Sequence, residues 1–532
     1  MTDRRHDRGA SRDPRHGRHG RSATVDNPRR IAYEVLAAVS TQDAYANLVL
    51  PKLLRHRGVS GRDAAFATEL SYGTLRRRGS LDAVIASASG RAVSALDQSV
   101  ADVLRLGVYQ LLYTRVAAHA AANTTVSLAR KVCGHRPAGF VNAVMRKVSR
   151  YSLEDWLDKL STGEELADLA LRQSHPEWIV RRFAEALAGP SESGSASGEP
   201  SDSGAGPTGP AELRVEVDET GFLPETYPTA VRRDESRAAA TDSPAGAVEP
   251  HGDTDGAEAE PDELVAALAA DNVSPAVQLC ARPGLIDATE LARQTDGSLG
   301  RWSAYAVELD SGDPGDLAAI RDGRAHVQDE GSQLVALALA AAPLTGRDER
   351  WLDLCAGPGG KAALLGSLAA RRDAKLTAVE VAEHRARLVA ETTKDLDVDV
   401  VTADGRTYTT SDSFDRVLVD APCSGLGALR RRPEARWRRA ESDLDGLREL
   451  QTELLASALR LVRPGGVVAY VTCSPVIAET HEIVATATGA SLVDARPLFP
   501  AELPHLGDGP TVQLWPHRHG TDAMFCAILR RD

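Results

Sequence analysis

Two of the six cysteines in this 532-residue chain stand in matching surroundings. "DAPCSG" runs from Asp420 to Gly425 and "VTCSP" from Val471 to Pro475, each at the end of an apolar run. A thiol that can ionise is a strong nucleophile suited to covalent catalysis, and such chemistry needs a base or proton relay beside it. Cys473 and Cys423, with the carboxyl group of Asp420 close by in sequence, are therefore the first candidates for chemistry. The other thiols read differently. Cys133, Cys280 and Cys526 lie in helical or strand patterns without polar company, the setting of a cysteine used as a small hydrophobe. Cys355 sits inside a glycine-rich loop, where backbone contact with a cofactor and catalysis both stay open. No two cysteines form a CxxC pair, so the spacing points to free thiols rather than disulfides or a zinc site, and no metal is expected.

That loop is "LDLCAGPGGK", Leu352 to Lys361: a strand, a tight turn and a helix start. Gly357, Gly359 and Gly360 let the backbone approach a ligand closely and aim a helix N-terminus at it. A phosphate-binding P-loop needs GxxxxGK followed by Ser or Thr, whereas Lys361 is followed by Ala362 and Cys355 holds the first glycine position. The dinucleotide pattern GxGxxG is also absent, which leaves S-adenosylmethionine as the expected cofactor. Glu380, ending "LTAVE", stands where a carboxylate would hold ribose hydroxyls, and Asp404 in "TADG" where it would meet adenine. An electrophilic methyl donor beside two thiols suits a carbon that reacts poorly unaided. At cytosine, addition of a thiolate to C6 makes C5 enamine-like, and a carboxyl group such as Asp420 would steady N3 and the exocyclic amine as charge develops.

The elements that must position these groups are legible as periodicity. Short apolar strands, "RWLDLC", "LTAVEV", "VDVVTAD", "DRVLVD" and "VVAYVTC", alternate with helical stretches across residues 326–532. Such alternation predicts parallel βαβ units in a Rossmann-like, doubly wound α/β domain, with ligands beyond the carboxyl ends of the strands. Both cysteines fall just past such an end. Residues 28–150 instead repeat apolar positions every three to four residues and predict an all-α domain, with a helical extension over 151–188. Residues 262–325 mix the two periods and predict a small α+β subdomain. Between them, residues 189–261 are acidic and rich in Ser, Gly and Pro, the composition of a tether, and residues 1–27 read as a disordered basic arm.

The formal net charge of −13 hides this division. Residues 28–150 hold 18 basic and 7 acidic side chains, while residues 189–262 hold 4 basic and 17 acidic ones. A basic folded segment is the electrostatic footprint of a nucleic-acid binder. No apolar run approaches the about 18 residues of a membrane span, and the charged N-terminus lacks a signal-peptide core. No membrane is expected as a partner, and the cytoplasm is the expected location.

At this point the residues carry a resemblance. "DLCAGPGGK", "DAPCSGLGALRRRPEARW", "YVTCSP" and "VQDEGSQLV", in that combination, resemble the Sun/NOL/NOP family of RNA cytosine-5 methyltransferases over about residues 262 to 530. The resemblance implies that Cys473 is the nucleophile and Cys423 assists product release; DNA cytosine methyltransferases use the earlier Pro-Cys instead. It also implies that Cys355, Ala356, Gly357, Pro358, Gly359, Gly360, Lys361, Glu380, Arg385, Asp404 and Asp420 bind S-adenosylmethionine. "ELSYGTLRRRGSLD", "LRLGVYQLLY" and "GFVNAVMRKV" make residues 28–150 similar to the RNA-binding protein NusB. A NusB-like domain ahead of this enzyme is the arrangement of the bacterial RsmB (Sun) subgroup, which implies 16S rRNA as substrate. Methylation of tRNA or 23S rRNA, and a non-catalytic role in RNA binding or ribosome assembly, are the competing expectations. Three departures bear on substrate positioning: Thr480 in "AETHE" where the family commonly has Asn, "DAMF" at Asp522 to Phe525 where it has "DGFF", and Glu380 where it has Asp.

Overall fold

The computed structural model of the chain describes residues 27–190 and 261–532. The basic arm, and nearly all of the acidic segment with its short interruption "LRVEVDETGFLPETY", lie outside the described residues. Among the described residues no helix is long and apolar enough to cross a membrane.

The N-terminal region is helical from Asn27–Thr41 to His135–Val148. Ile31, Val35, Leu70, Ile85, Leu104 and Val108 meet in one core, with the helix Gln98–Tyr113 buried along much of its length. Trp156 is fully buried at the edge of this core and donates its indole N–H to the Val148 carbonyl at 3.0 Å. The helix that carries it, Leu153–Leu160, begins with a reciprocal cap between Ser152 and Asp155.

Beyond the acidic segment, β1 (Val277–Ala281), β2 (Ser298–Leu299), β3 (Ala306–Leu309) and β4 (Ala325–Val327) form a small antiparallel sheet in the order β2-β3-β1-β4. The larger sheet follows with β5 (Arg350–Asp353), β6 (Lys375–Glu380), β7 (Val398–Thr402), β8 (Phe414–Asp420), β9 (Val462–Thr472), β10 (Ala490–Val493), β11 (Val512–Gln513) and β12 (Phe525–Arg531). Its order is β10-β12-β9-β8-β5-β6-β7, with β11 paired to β12. β5 to β9 run parallel. The Rossmann-like α/β fold expected from the strand pattern is thus present, but the sheet is not wholly parallel. β12 inserts antiparallel between β9 and β10. Its first five residues are all buried, so "FCAIL" carries no alternation to announce a strand, and β10 is short with an exposed middle. The chain leaves β5 in one direction for β6 and β7, and returns on the other side for β8 and β9. This reversal between β5 and β8 is the crevice in which α/β sheets bind ligands.

The two halves are bolted together by the segment that follows β8. The fully buried Arg436 donates to the carbonyls of Arg76 and Ser174 and to Asn272 Oδ1 at 3.1–3.3 Å, and to the carbonyl of Asp271 at 3.3 Å. Burial lowers its pKa to about 10, against the raising influence of Asp271. Arg76 answers by donating to the Arg430 carbonyl at 3.0 Å. Around them Ile179, Val180 and Phe183 of the helix Glu177–Ala188 pack with Leu264, Leu268, Leu426, Leu429 and Trp515, with Phe183 edge-on to Trp515. We expect Arg436→Met, which leaves buried acceptors unpaired, to cost about 3 kcal/mol. A urea unfolding midpoint equal to that of the wild type would show that the junction does not depend on this guanidinium.

Candidate active site

Asp420 ends β8 and Cys473 follows the end of β9, so their loops leave neighbouring parallel strands at the same edge. The loops are brought closer than strand spacing requires. Gly427 donates its N–H to the Cys473 carbonyl at 2.9 Å and accepts from Ala523 N–H at 2.9 Å. A Cβ at Gly427 would stand 2.2 Å from the Ala523 oxygen and 2.8 Å from the Cys473 oxygen, so only glycine permits this approach. As a result Cys423 Sγ lies 3.4 Å from Cys473 Sγ.

The serines that follow each cysteine hold this arrangement. Glu479, fully buried, accepts from Ser424 N–H at 2.7 Å and Ser424 Oγ–H at 2.5 Å. It also accepts from Ser474 Oγ–H at 2.6 Å and Gln451 Nε2–H at 3.2 Å. Tyr470 O–H donates to the Glu479 carbonyl at 2.9 Å, fixing its backbone to β9. Sequence reasoning missed Glu479. The signal lies in "AETHE", where Glu479 stands directly before the Thr480 departure. Thr480, in place of that Asn, is buried and turns its hydroxyl back to the Val476 carbonyl at 2.9 Å.

A second cluster fixes the far end of the Cys423 loop. Arg430 spans Asp329 Oδ2 at 2.8 Å and Asp522 Oδ1 at 3.2 Å, and Arg431 pairs with the other oxygen of Asp522. Asp522 N–H donates to Asp329 Oδ1 at 3.0 Å. The segments "VQDEGSQLV", "ALRRR" and "TDAMF", far apart in sequence, are therefore one ion-paired unit beside the thiols.

The thiols differ in charge environment. The hydrogen bond from Cys423 lowers the pKa of Cys473 below the usual thiol value, against burial and Asp420, with help from the charges of Lys361 and Arg432. Cys423 is raised well above it by that same bond, by burial and by the charge of Glu479. Burial and the nearby carboxyl groups raise Cys355 also, and burial raises Cys280 and Cys526. Cys133 is half-buried and raised by burial. Of the six thiols, Cys473 is the one whose thiolate is favoured.

The residues expected to hold S-adenosylmethionine line the carboxyl ends of β5, β6, β7 and β8. Glu380 accepts from Gly357 N–H and Ala382 N–H, each at 3.0 Å, and Arg385 donates to the Gly357 carbonyl at 2.6 Å. A side chain at Gly357 would collide with Glu380 and Arg385. Lys361 Nζ bonds Asp420 Oδ2 at 2.8 Å; burial opposes its charge, but the Asp420 partner holds its pKa above the usual value. Asp404 lies at the far side, after the edge strand β7, where Arg406 grips both its oxygens and lowers its pKa. It is thus separate from the cysteine pair, as are Glu380 and Arg385. Cys355, Ala356, Pro358, Gly359 and Gly360 form the turn that joins β5 to the helix Gly360–Ala370.

Asp353, at the end of β5, was overlooked within its own motif. Burial, reinforced by Asp420, raises its pKa to about 7, and its Oδ2 has no hydrogen-bond partner. An orphaned buried carboxyl oxygen at the root of the glycine loop, an acid ending β6 and the exposed Val381 beside it fit a ligand with a cationic amino-acid part and a flat apolar ring.

The thiol asymmetry can be measured directly. The rate of iodoacetamide labelling at Cys473 should rise with pH at a midpoint below that of an ordinary thiol. Replacing Cys423 by Ala removes the largest lowering influence, so the midpoint should move to higher pH. An unchanged profile would mean that the sulfur–sulfur hydrogen bond does not tune Cys473.

Comparisons with known proteins agree with this geometry. Residues 340–530 match the family described as 16S rRNA methyltransferase RsmB/F, and residues 26–150 match the NusB family. A putative methyltransferase of Mycobacterium tuberculosis is 49% identical over 517 residues, covering 96% of this chain and 98% of that protein. The probable ribosomal RNA small subunit methyltransferase B of Bacillus subtilis is 27% identical, covering 94% of this chain and 98% of its own length. In fold, the crystal structure of PH0851 superimposes with a TM-score of 0.68 at 19% identity, covering 96% of this chain and 100% of that one. The chain belongs to the RsmB/F (Sun) family of S-adenosylmethionine-dependent rRNA methyltransferases, with a NusB-family domain ahead of its catalytic domain.

Proposed function

We propose that the protein methylates C5 of a cytosine in 16S rRNA, with Cys473 attacking C6 and Cys423 assisting release. The observation that carries this reading is the pair of sulfurs at 3.4 Å, held together by the two following serines on the buried Glu479. Bound S-adenosylmethionine supplies an electrophilic methyl group; Glu380, Arg385, Asp404, Lys361 and the loop Cys355 to Gly360 are the residues assigned to hold it, with Asp353 and Asp420 at its amino-acid end. The Cys473 thiolate forms a bond to C6 and pushes electron density to C5, which then takes the methyl group. Asp420, paired with Lys361, is the group assigned to meet N3 and the exocyclic amine. Transfer of the C5 proton to a water molecule re-forms the C5–C6 double bond and expels the Cys473 thiolate. Cys423, the neighbour that donates a hydrogen bond to this sulfur, stabilises it as it leaves. C6 is unreachable within a stacked helix, so the target cytosine must be unpaired or extruded.

The choice of 16S rRNA over tRNA or 23S rRNA is supported by the description of the matching family and by the names of the Bacillus subtilis and enterobacterial relatives. The basic NusB-family domain supports RNA as the partner. Action on rRNA supports a cytoplasmic location. The two intact Cys-Ser loops count against a purely non-catalytic assembly role.

Transfer of labelled methyl from S-adenosylmethionine to protein-free 16S rRNA, 23S rRNA and tRNA, with nucleoside analysis, tests the whole reading. The expected product is 5-methylcytosine in 16S rRNA alone; label in another RNA would overturn the address, and label in another nucleoside the chemistry. Cys473→Ser should abolish transfer. Cys423→Ala should accumulate a protein–RNA adduct that survives denaturing electrophoresis, and turnover without any adduct would refute the release role.

A further inference from the structure

The loop that carries Cys423 does more than join the two domains. Past Gly427, which touches the Cys473 carbonyl, the chain makes a tight turn in which Arg432 N–H donates to the Ala428 carbonyl at 2.9 Å. Arg432 is thus about one turn from the cysteine loops, close enough for its charge to favour the Cys473 thiolate. Its guanidinium stands 5.7 Å from the ring centre of Tyr45, and that of Arg438 stands 4.7 Å from the same ring. Tyr45 belongs to the NusB-family domain, at the start of the helix Ala46–His56.

The setting of this tyrosine is unusual for a surface aromatic. Its backbone is pinned on both sides by the catalytic domain: Arg438 donates to the Ala44 carbonyl at 2.5 Å, and Ala46 N–H donates to the buried Glu434 at 3.2 Å. Its side chain caps nothing and is 43% exposed. Leu48 and Lys52, also exposed, continue the same helix face over the next two turns. The result is an open aromatic surface edged by guanidinium groups, with Asp43 3.6 Å from Arg438, assembled only when the domains are docked, and joined through Arg432 to the loop that carries Cys423.

We infer that Tyr45, with Arg432 and Arg438, is a stacking shelf for an RNA nucleotide that flanks the target cytosine. The inference rests on the RNA reading above. Removing the target base from its stack strips its neighbour of a stacking partner and exposes that neighbour's π-face. An aromatic ring or a guanidinium plane replaces the lost contact, and the same cations meet the adjoining phosphates. Because every base has a π-face, the shelf holds RNA in register without demanding one sequence; it is a binding element and does not touch the reacting atoms.

The test is steady-state methyl transfer to a 16S rRNA fragment with the full-length chain. Base–aromatic stacking is worth about 1–3 kcal/mol, so Tyr45→Ala should raise the KM for RNA about tenfold or more. Its melting temperature and affinity for S-adenosylmethionine should match the wild type, and Tyr45→Trp should restore the KM. Tyr151 provides the control, being equally exposed at 43% with Lys159 over its ring but placed away from the domain junction. An unchanged KM in Tyr45→Ala, an equal rise in Tyr151→Ala, or a melting temperature lowered in step with KM would overturn the shelf. Wild-type protein that methylates no RNA would overturn the function on which it rests, and the shelf with it.

Discussion

The catalytic arrangement depends on burying one carboxyl group. Glu479 has no access to water and would be costly to desolvate unaided. Four donors converge on its side chain, three of them from the serines that follow the two cysteines. Those bonds draw the loops after β8 and β9 into one unit, and the sulfur–sulfur contact of 3.4 Å follows from it. This explains why each cysteine is followed by serine. The thiols supply the reactivity; the hydroxyls one residue on supply the common anchor.

From this anchor the constraint extends outward along the Cys423 loop. Gly427 is held against the Cys473 carbonyl, Arg430 and Arg431 against Asp329 and Asp522, and Arg436 among carbonyls of three helical segments. Each contact fixes the next few residues, so the loop has little freedom between the thiols and the NusB-family domain. The RNA-binding domain and the reactive centre are therefore parts of one packed body. A change in how the helical domain docks would be felt at Cys423, because the same stretch of about fifteen residues serves both.

Local features of this design were readable from sequence. The five apolar runs became β5 to β9, since runs of apolar and β-branched residues alternating with helices carry a strong compositional signal even where, as in β7, the strand is at an edge and partly exposed. The convergence of Cys423 and Cys473 followed from their places at the ends of adjacent parallel strands. What was hidden involves pairing across long sequence distances or groups without periodicity. Arg430 looks like one of many arginines until Asp329 and Asp522 are placed around it, 101 and 92 residues away. Glu479 sits in a one-turn segment with no pattern to mark it as buried. β12 escaped because complete burial erases the alternation by which a strand is recognised.

The two Cys-Ser motifs are nearly equivalent as sequence, and even in hydrogen bonding to Glu479, so neither feature distinguishes nucleophile from helper. Their charge surroundings differ: Lys361 and Arg432 favour a Cys473 thiolate against the opposing Asp420, whereas Glu479 opposes one at Cys423. The thiol that keeps its proton then donates it to the one that does not, and each effect strengthens the other. Lys361 has a further partner in Asp420, which keeps the ammonium charged despite burial and ties the end of β8 to the glycine loop of β5. The carboxyl group that anchors both loops thus also makes their charge environments unequal.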